Sequence, residues 1–182
     1  DLSVQTADGP ARFGGPLAFF GHGRGGQAGV IYAAFEPDLT ALVLAGTGGG
    51  MVDWLRLSRA PVNLGAQLEV RLADPELNGM HPGLHLVQHW LDPRDPVNYG
   101  RLLRTPPEGV PAKHIFLLYG AADKVTPPAS MNHLAISARL QRVGPLIEDL
   151  EAVQAAEGNP VRGNVNSRAG ARTQVIKQYE AE

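Results

Sequence analysis

The chain has 182 residues, 43% of them apolar and 19% charged, which suits one domain with a buried core and not a disordered segment. A formal net charge of −2 argues against a basic nucleic-acid surface or a polybasic membrane patch. With no cysteine in the chain, disulfides, thiolate nucleophiles, thiolate zinc sites and iron–sulfur clusters are excluded.

The 22 glycines and 15 prolines follow no collagen period and point to many tight turns. The opening residues, Asp1-Leu2-Ser3-Val4-Gln5-Thr6, have no basic stretch, no apolar stretch and no initiator Met. They are expected to begin a mature form or a fragment. No run of about 18 apolar residues exists to make a membrane-spanning helix.

In chain order, Pro16 to Phe20 is a short apolar run ending at Gly21, the pattern of a buried strand. A glycine-rich turn follows, Gly21 to Gly26. Gln27 to Phe35 then has the small residues of a tightly packed helix, stopped before Pro37. Leu39 to Ala45 is a second buried strand, closed by Gly46-Thr47-Gly48-Gly49-Gly50. Strand, glycine turn, helix and strand make a βαβ unit, which implies a parallel sheet.

Met51 to Pro111 is predicted to be a helical excursion, with helices over Val52 to Arg59, Leu64 to Leu72 and Pro82 to Leu91. The third clear strand is His114 to Tyr119. Ala129 to Val143 is predicted as an amphipathic helix, residues 158–170 as a polar loop, and Thr173 to Tyr179 as a last, partly exposed strand.

The turn Gly21-His22-Gly23-Arg24-Gly25-Gly26 matches two patterns. One is G-x-G-x-x-G, the dinucleotide fingerprint, which needs a ribose-binding carboxylate at the end of the next strand. Ala45-Gly46-Thr47 stands there, and Glu36 and Asp38 precede that strand. The other is G-x-S-x-G, a sharp strand-to-helix turn that presents a nucleophile, with Gly23 where serine would stand. Asp123 follows the His114 to Tyr119 strand in Gly120-Ala-Ala-Asp123-Lys-Val-Thr-Pro127-Pro128. A carboxylate there lies where open α/β sheets place their sites.

These residues carry a resemblance over about 14–182. Phe19-Phe20-Gly21-His22-x-x-Gly25-Gly26, His81-Pro82, Asp92-Pro93-x-Asp95-Pro96-Val97-Asn98-Tyr99 and Tyr119-Gly120-Ala-Ala-Asp123 resemble a bacterial esterase/lipase-like group of the α/β-hydrolases. The resemblance implies a mainly parallel α/β sheet with a helical cap insertion, lacking its first strands. Residues 1–50 would be the elbow unit, 51–111 the cap, and 112–182 the acid-loop strand, helix and last strand. It implies carboxylic-ester hydrolysis of a small or lipid-like acyl substrate, without cofactor or metal. Gly23 would hold the nucleophile position, Asp123 the acid, and the backbone N–H of Arg24 one oxyanion donor. The catalytic histidine would follow the last strand, beyond Tyr179-Glu180-Ala181-Glu182, so the chain as written is expected to be inactive. A non-catalytic ligand binder on the same fold is the alternative. An elbow strand without its neighbours would expose an apolar edge, so an N-terminal companion polypeptide or a longer chain is expected.

Other residues carry weaker signals. His81, His85 and His89 recur every four residues, and two histidines at that spacing can hold zinc if a third ligand joins them; no H-E-x-x-H glutamate accompanies them. A helix start at His81 is the simpler reading. His22 either lines the site or supports the turn. Asp53, Asp92 and Asp95 are alternative carboxylates, the latter two before prolines and suited to capping turns. Trp54, Trp90 and the leucines of 64–72 suit either an acyl pocket or packing within the cap. His114 and His133 have no partner visible in the sequence.

Overall fold

The computed structural model describes residues 2–150, 152–168 and 170–180. An antiparallel hairpin comes first, β1 (Leu2–Thr6) with β2 (Gly9–Phe13), and forms a sheet of its own. Its turn is closed by Gly9 at φ +115° and by the Thr6 hydroxyl donating to the Gly9 carbonyl at 2.7 Å.

The main sheet begins with β3 (Leu17–His22), which passes directly into α1 (Gly23–Ala33), and returns as β4 (Leu39–Ala45). After the helices α2 (Met51–Leu57), α3 (Leu64–Leu72), α4 (Pro82–Leu91) and α5 (Val97–Gly100) comes β5 (His114–Gly120). Then follow α6 (Pro128–Ser137), β6 (Gln141–Val143), a small hairpin of β7 (Val165–Ser167) and β8 (Gly170–Arg172), and β9 (Gln174–Tyr179). The five-stranded sheet has the order β3-β4-β5-β9-β6, and every pairing in it is parallel.

Composition explains the layering. Parallel strands covered on both faces need near-continuous apolar sequence. In β4 and β5, Leu39, Leu42, Leu44, Ile115 and Leu117 are all essentially inaccessible. They join Val30 and Ala33 of α1, and Ala34 at its end, with Met131, Leu134 and Ala135 of α6 in one core. The helical stretch between β4 and β5 has a small core of its own, Val52, Leu77 and Leu84, flanked by Leu68, Leu72 and Val87.

Local chemistry sets the ends of these helices. The Asn63 side chain accepts from Ala66 N–H at the start of α3, and His81 Nδ1 accepts from Gly83 N–H at the start of α4, where Pro82 takes the first position. A buried carboxylate, Asp95, ties the start of α2 to the loop before α5. It accepts from Gly50 and Met51 N–H at 2.9 and 2.8 Å, from Val97 N–H at 3.1 Å and from the Gln88 amide at 3.0 Å.

Three sequence expectations are corrected or narrowed. Residues 129–143 are not one helix: α6 ends at Ser137, Arg139 takes φ +52°, and 141–143 join the sheet. The last strand is exposed only at its end: Gln174, Val175, Ile176 and Gln178 are buried, with β6 paired along the outer side, and Tyr179 is exposed. The stretch 158–170 is not wholly loop, since β7 and the start of β8 lie in it.

Candidate active site

Register gathers the site. Gly21 stands opposite Leu44 and His22 opposite Ala45 in the β3–β4 pairing, so the turn after β3 lies beside Gly46. Gly46 N–H donates to the Leu118 carbonyl at 3.1 Å, which holds it against the end of β5. Gly120 pairs with Tyr179, and Ala121 N–H donates to the Tyr179 carbonyl at 3.0 Å. Four chain segments therefore meet at the C-terminal rim: His22-Gly23-Arg24, Gly46, the Asp123 loop and the end of β9. Ligand sites of open parallel sheets occupy this rim.

The turn itself is sharp. His22 is extended, with φ −117° and ψ 137°, and Gly23 swings to φ +52° as it opens α1. That left-handed backbone suits glycine and strains any L side chain. A Cβ built on Gly23 meets nothing within 4 Å, so a side chain there would enter open space. Gly21 and Gly26 are glycine for a different reason. A Cβ on Gly21 would stand 2.6 Å from Gly26 Cα, and one on Gly26 would stand 1.9 Å from Thr47 Oγ1. These two positions permit close packing of strand, helix and the 46–50 loop. Arg24 is the second residue of α1, where the opening N–H groups have no intrahelical acceptor. Its guanidinium lies 5.0 Å from the ring centre of the buried Trp54.

Asp123 is held with one oxygen spent and one free. Oδ1 accepts from Val125 N–H at 2.8 Å and from Thr126 N–H at 2.9 Å. Oδ2 lies 3.0 Å from the point where a Gly46 Cβ would sit, and His22 Nε2 lies 3.6 Å from the same point. Gly46, at φ +49°, thus leaves room for a carboxylate and an imidazole to flank one spot beside the turn.

The loop 46–50 beneath is buried and carries almost no side chain, so its backbone is clamped by others. Gln27 donates to the Gly48 carbonyl at 3.2 Å, Ser130 Oγ to the Gly49 carbonyl at 2.7 Å, and Gly49 N–H to the Ser130 carbonyl at 2.9 Å. The sequence marks this run only as a strand end. The roles of Gly46, Gln27 and Ser130 emerge from tertiary contacts with no local signature, whereas Asp95 caps the turn before α5, as its place before a proline suggests, and reaches α2 as well.

The remaining sequence candidates go elsewhere. Asp53 pairs with Arg56 at 3.0 Å and lies 3.8 Å from His133 Nδ1. The Asp92 carboxylate accepts from the Gln88 amide at 2.8 Å. His114 Nδ1 accepts from Thr173 N–H, and burial pushes its pKa down, with the positive field of Arg172 adding to the effect. Trp90 is exposed, with the Arg94 guanidinium 5.5 Å from its ring centre, so it neither lines the site nor joins the small core. Among the described residues, no three His, Asp or Glu side chains converge as metal ligands.

The parallel central sheet with its flanking helices is that of the α/β-hydrolase fold. Acetyl xylan esterase 1 from Thermoanaerobacterium sp. shares it, with a TM-score of 0.51 and 17% identity over 92% of this chain and 40% of that one. A puromycin-hydrolysing peptidase of Mycobacterium tuberculosis superposes with a TM-score of 0.43 and 18% identity, over 66% of this chain and 16% of its own. For the monoacylglycerol lipase of Paleococcus ferrophilus the values are 0.38 and 16%, over 90% and 58%. The chain therefore spans less than two thirds of each of these proteins. No family model matches the sequence, and no curated protein matches it.

Proposed function

We propose that this chain carries the nucleophile-elbow and acid-loop part of a carboxylesterase-type site, and that Gly23, which supplies no nucleophile, leaves it inactive. The observation that carries the reading is the Asp123 carboxylate. One oxygen is fixed by two N–H groups, and the other is directed across Gly46 toward the elbow. In a relative with serine at position 23, the hydroxyl oxygen would attack the ester carbonyl while an imidazole takes its proton. The alcohol would leave with that proton, and water would then release the acyl group. Asp123 would hold the imidazole's tautomer, and the Arg24 N–H would face the developing oxyanion.

The expected result is p-nitrophenyl acetate turnover no faster than buffer; turnover well above buffer overturns the inactive reading. Gly23→Ser, in the protein with its sheet completed, is expected to restore hydrolysis. Hydrolysis that stays at buffer rate favours the second reading, a binder of small esters or acids. The open volume at Gly23, with His22 Nε2 and Asp123 Oδ2 close by, supports that reading.

Completion of the sheet is part of the proposal. Among the described residues β3 pairs with β4 on one side only, and Leu17 and Phe20 on it are 45% and 68% exposed. An unpaired apolar edge of this kind is a template for further strands. The occupant proposed is a polypeptide, or a preceding segment of a longer chain, that supplies the first strands of the sheet. Native mass spectrometry of the purified protein should show the chain bound to such a polypeptide. A monodisperse, cooperatively folded monomer overturns this part.

A further inference from the structure

At the opposite end of the sheet from the elbow, a cleft of about 600 Å³ opens where the chain enters β5 and approaches β7. Its size falls within the range of small-molecule sites. Arg104 and Arg168 line it together with Asn166, and one carboxylate, Glu108, stands on it. A smaller depression shares Arg104 and adds Arg101 and Arg139.

Two arginines face one carboxylate on this cleft. Among the described residues the ion pairs are Arg56–Asp53 and His133–Asp53, so no arginine of the cleft has a carboxylate partner within 4 Å. The chain as a whole is net negative, which makes the arginine excess here a feature of this face and not of the composition. Burial pushes the His114 pKa down, and the Arg172 charge on the same side of the molecule pushes it further the same way. Arg104 spends one guanidinium nitrogen on the Arg139 carbonyl at 3.1 Å, which orients the group and leaves other donors available.

The geometry points to a second ligand site in this cleft, for a small organic anion whose phosphate or carboxylate group lies between Arg104 and Arg168. Its apolar body would rest on Pro106, Pro107 and Val110 along the cleft wall. Guanidinium groups bind both head groups through paired, charge-assisted hydrogen bonds.

Phenyl phosphate and benzoate serve as probes, titrated into the purified protein and followed by amide chemical-shift mapping. The expected result is saturable shifts at Thr105, Val110, Asn166 and Ser167, with the Gly23 and Asp123 amides unmoved. The tighter of the two probes identifies the head group. Arg168→Gln removes an exposed side chain, so it should leave folding intact. It should weaken binding about tenfold, and added salt should weaken it in the wild type as well. No saturable shift below ~10 mM of either probe, or saturation unchanged in both Arg168→Gln and Arg104→Gln, overturns the proposal. Shifts confined to the elbow amides overturn it too.

Discussion

The glycines at 23 and 26 stand three residues apart in one turn, yet substitution should affect them very differently. At Gly23 a new Cβ meets nothing within 4 Å. The cost of Gly23→Ser is therefore the cost of holding an L residue at φ +52°, roughly 1 kcal/mol. For a domain of this size that lowers Tm by about 2–4 °C. At Gly26 the added Cβ stands 1.9 Å from Thr47 Oγ1, 2.8 Å from its Cγ2 and 2.9 Å from its Cβ. Thr47 cannot readily move away. It is fully buried, it is branched at Cβ, and its hydroxyl bonds the Ala45 carbonyl at 3.2 Å. Helix and loop backbones must separate, at about 3 kcal/mol or more.

Paired urea and thermal melts by circular dichroism measure the difference. Gly23→Ser should stay near wild type, and Gly26→Ala should lose about three times as much stability. Equal losses would refute the reasoning, because the turn would then be constrained as tightly at its apex as where helix meets loop. A larger loss for Gly23→Ser would do so more directly.

Asp95→Ala strands four donors at once, Met51 N–H buried and the other three partly buried. It should cost about 3 kcal/mol or more in urea melts, and a loss under ~1 kcal/mol would show that water replaces the carboxylate. The buried Lys113 ammonium donates to the Glu36 and Leu39 carbonyls at 2.5 and 2.6 Å, while burial lowers its pKa. Its unfolded form binds more protons between the lowered folded pKa and the ordinary lysine value. Stability should therefore rise with pH through that window, and Lys113→Met should lose the rise. Tyr119 does the opposite: burial and its hydrogen bond to Glu148 raise its pKa, so its unfolded form ionises first above pH ~10 and stability falls there. Tyr119→Phe should remove that fall, and matched stability–pH curves for the two variants would sink both assignments. Gly46→Ala should disturb the carboxylate at 3.0 Å, seen as a shifted Asp123 side-chain carbon resonance, with no shift refuting the contact.

Element boundaries were legible where a local chemical stop coincided with the end of packing. The helices over Leu64–Leu72 and Pro82–Leu91 and the strand over Leu39–Ala45 run as the sequence predicts. Asn63, Pro82 and the glycine run after Ala45 supply the stops. The predicted helix at 129–143 overran because burial continues where the helix does not. Met131, Leu134, Ala138 and Leu140 are all buried, so apolar spacing carries no mark at Ser137. β9 misled for the reverse reason. Its glutamines look like a solvent face, but Gln174 donates to the Leu103 and Lys113 carbonyls, and Gln178 donates to the Glu148 carbonyl while accepting from Ile147 N–H. Polar side chains that spend their hydrogen bonds on neighbouring backbone can be buried at reduced cost, even though Gln174 Oε1 finds no partner among the described residues.

Within the rim, position was legible and partnership was not. The order strand, glycine turn, helix and the later Gly-x-x-Asp fixes Gly23 and Asp123 at ends of parallel strands without reference to coordinates. Their approach to each other depends on β4 lying between β3 and β5, and on Gly46 having no side chain. Neither fact is local to either motif. A glycine in the elbow can mean a lost nucleophile, a relieved backbone or a close contact. The three meanings separate only when the space around each Cα is known: it is open at 23, filled by helix at 21 and filled by loop at 26. The first of these is the position at which a side chain could be added to the turn without disturbing the packing around it.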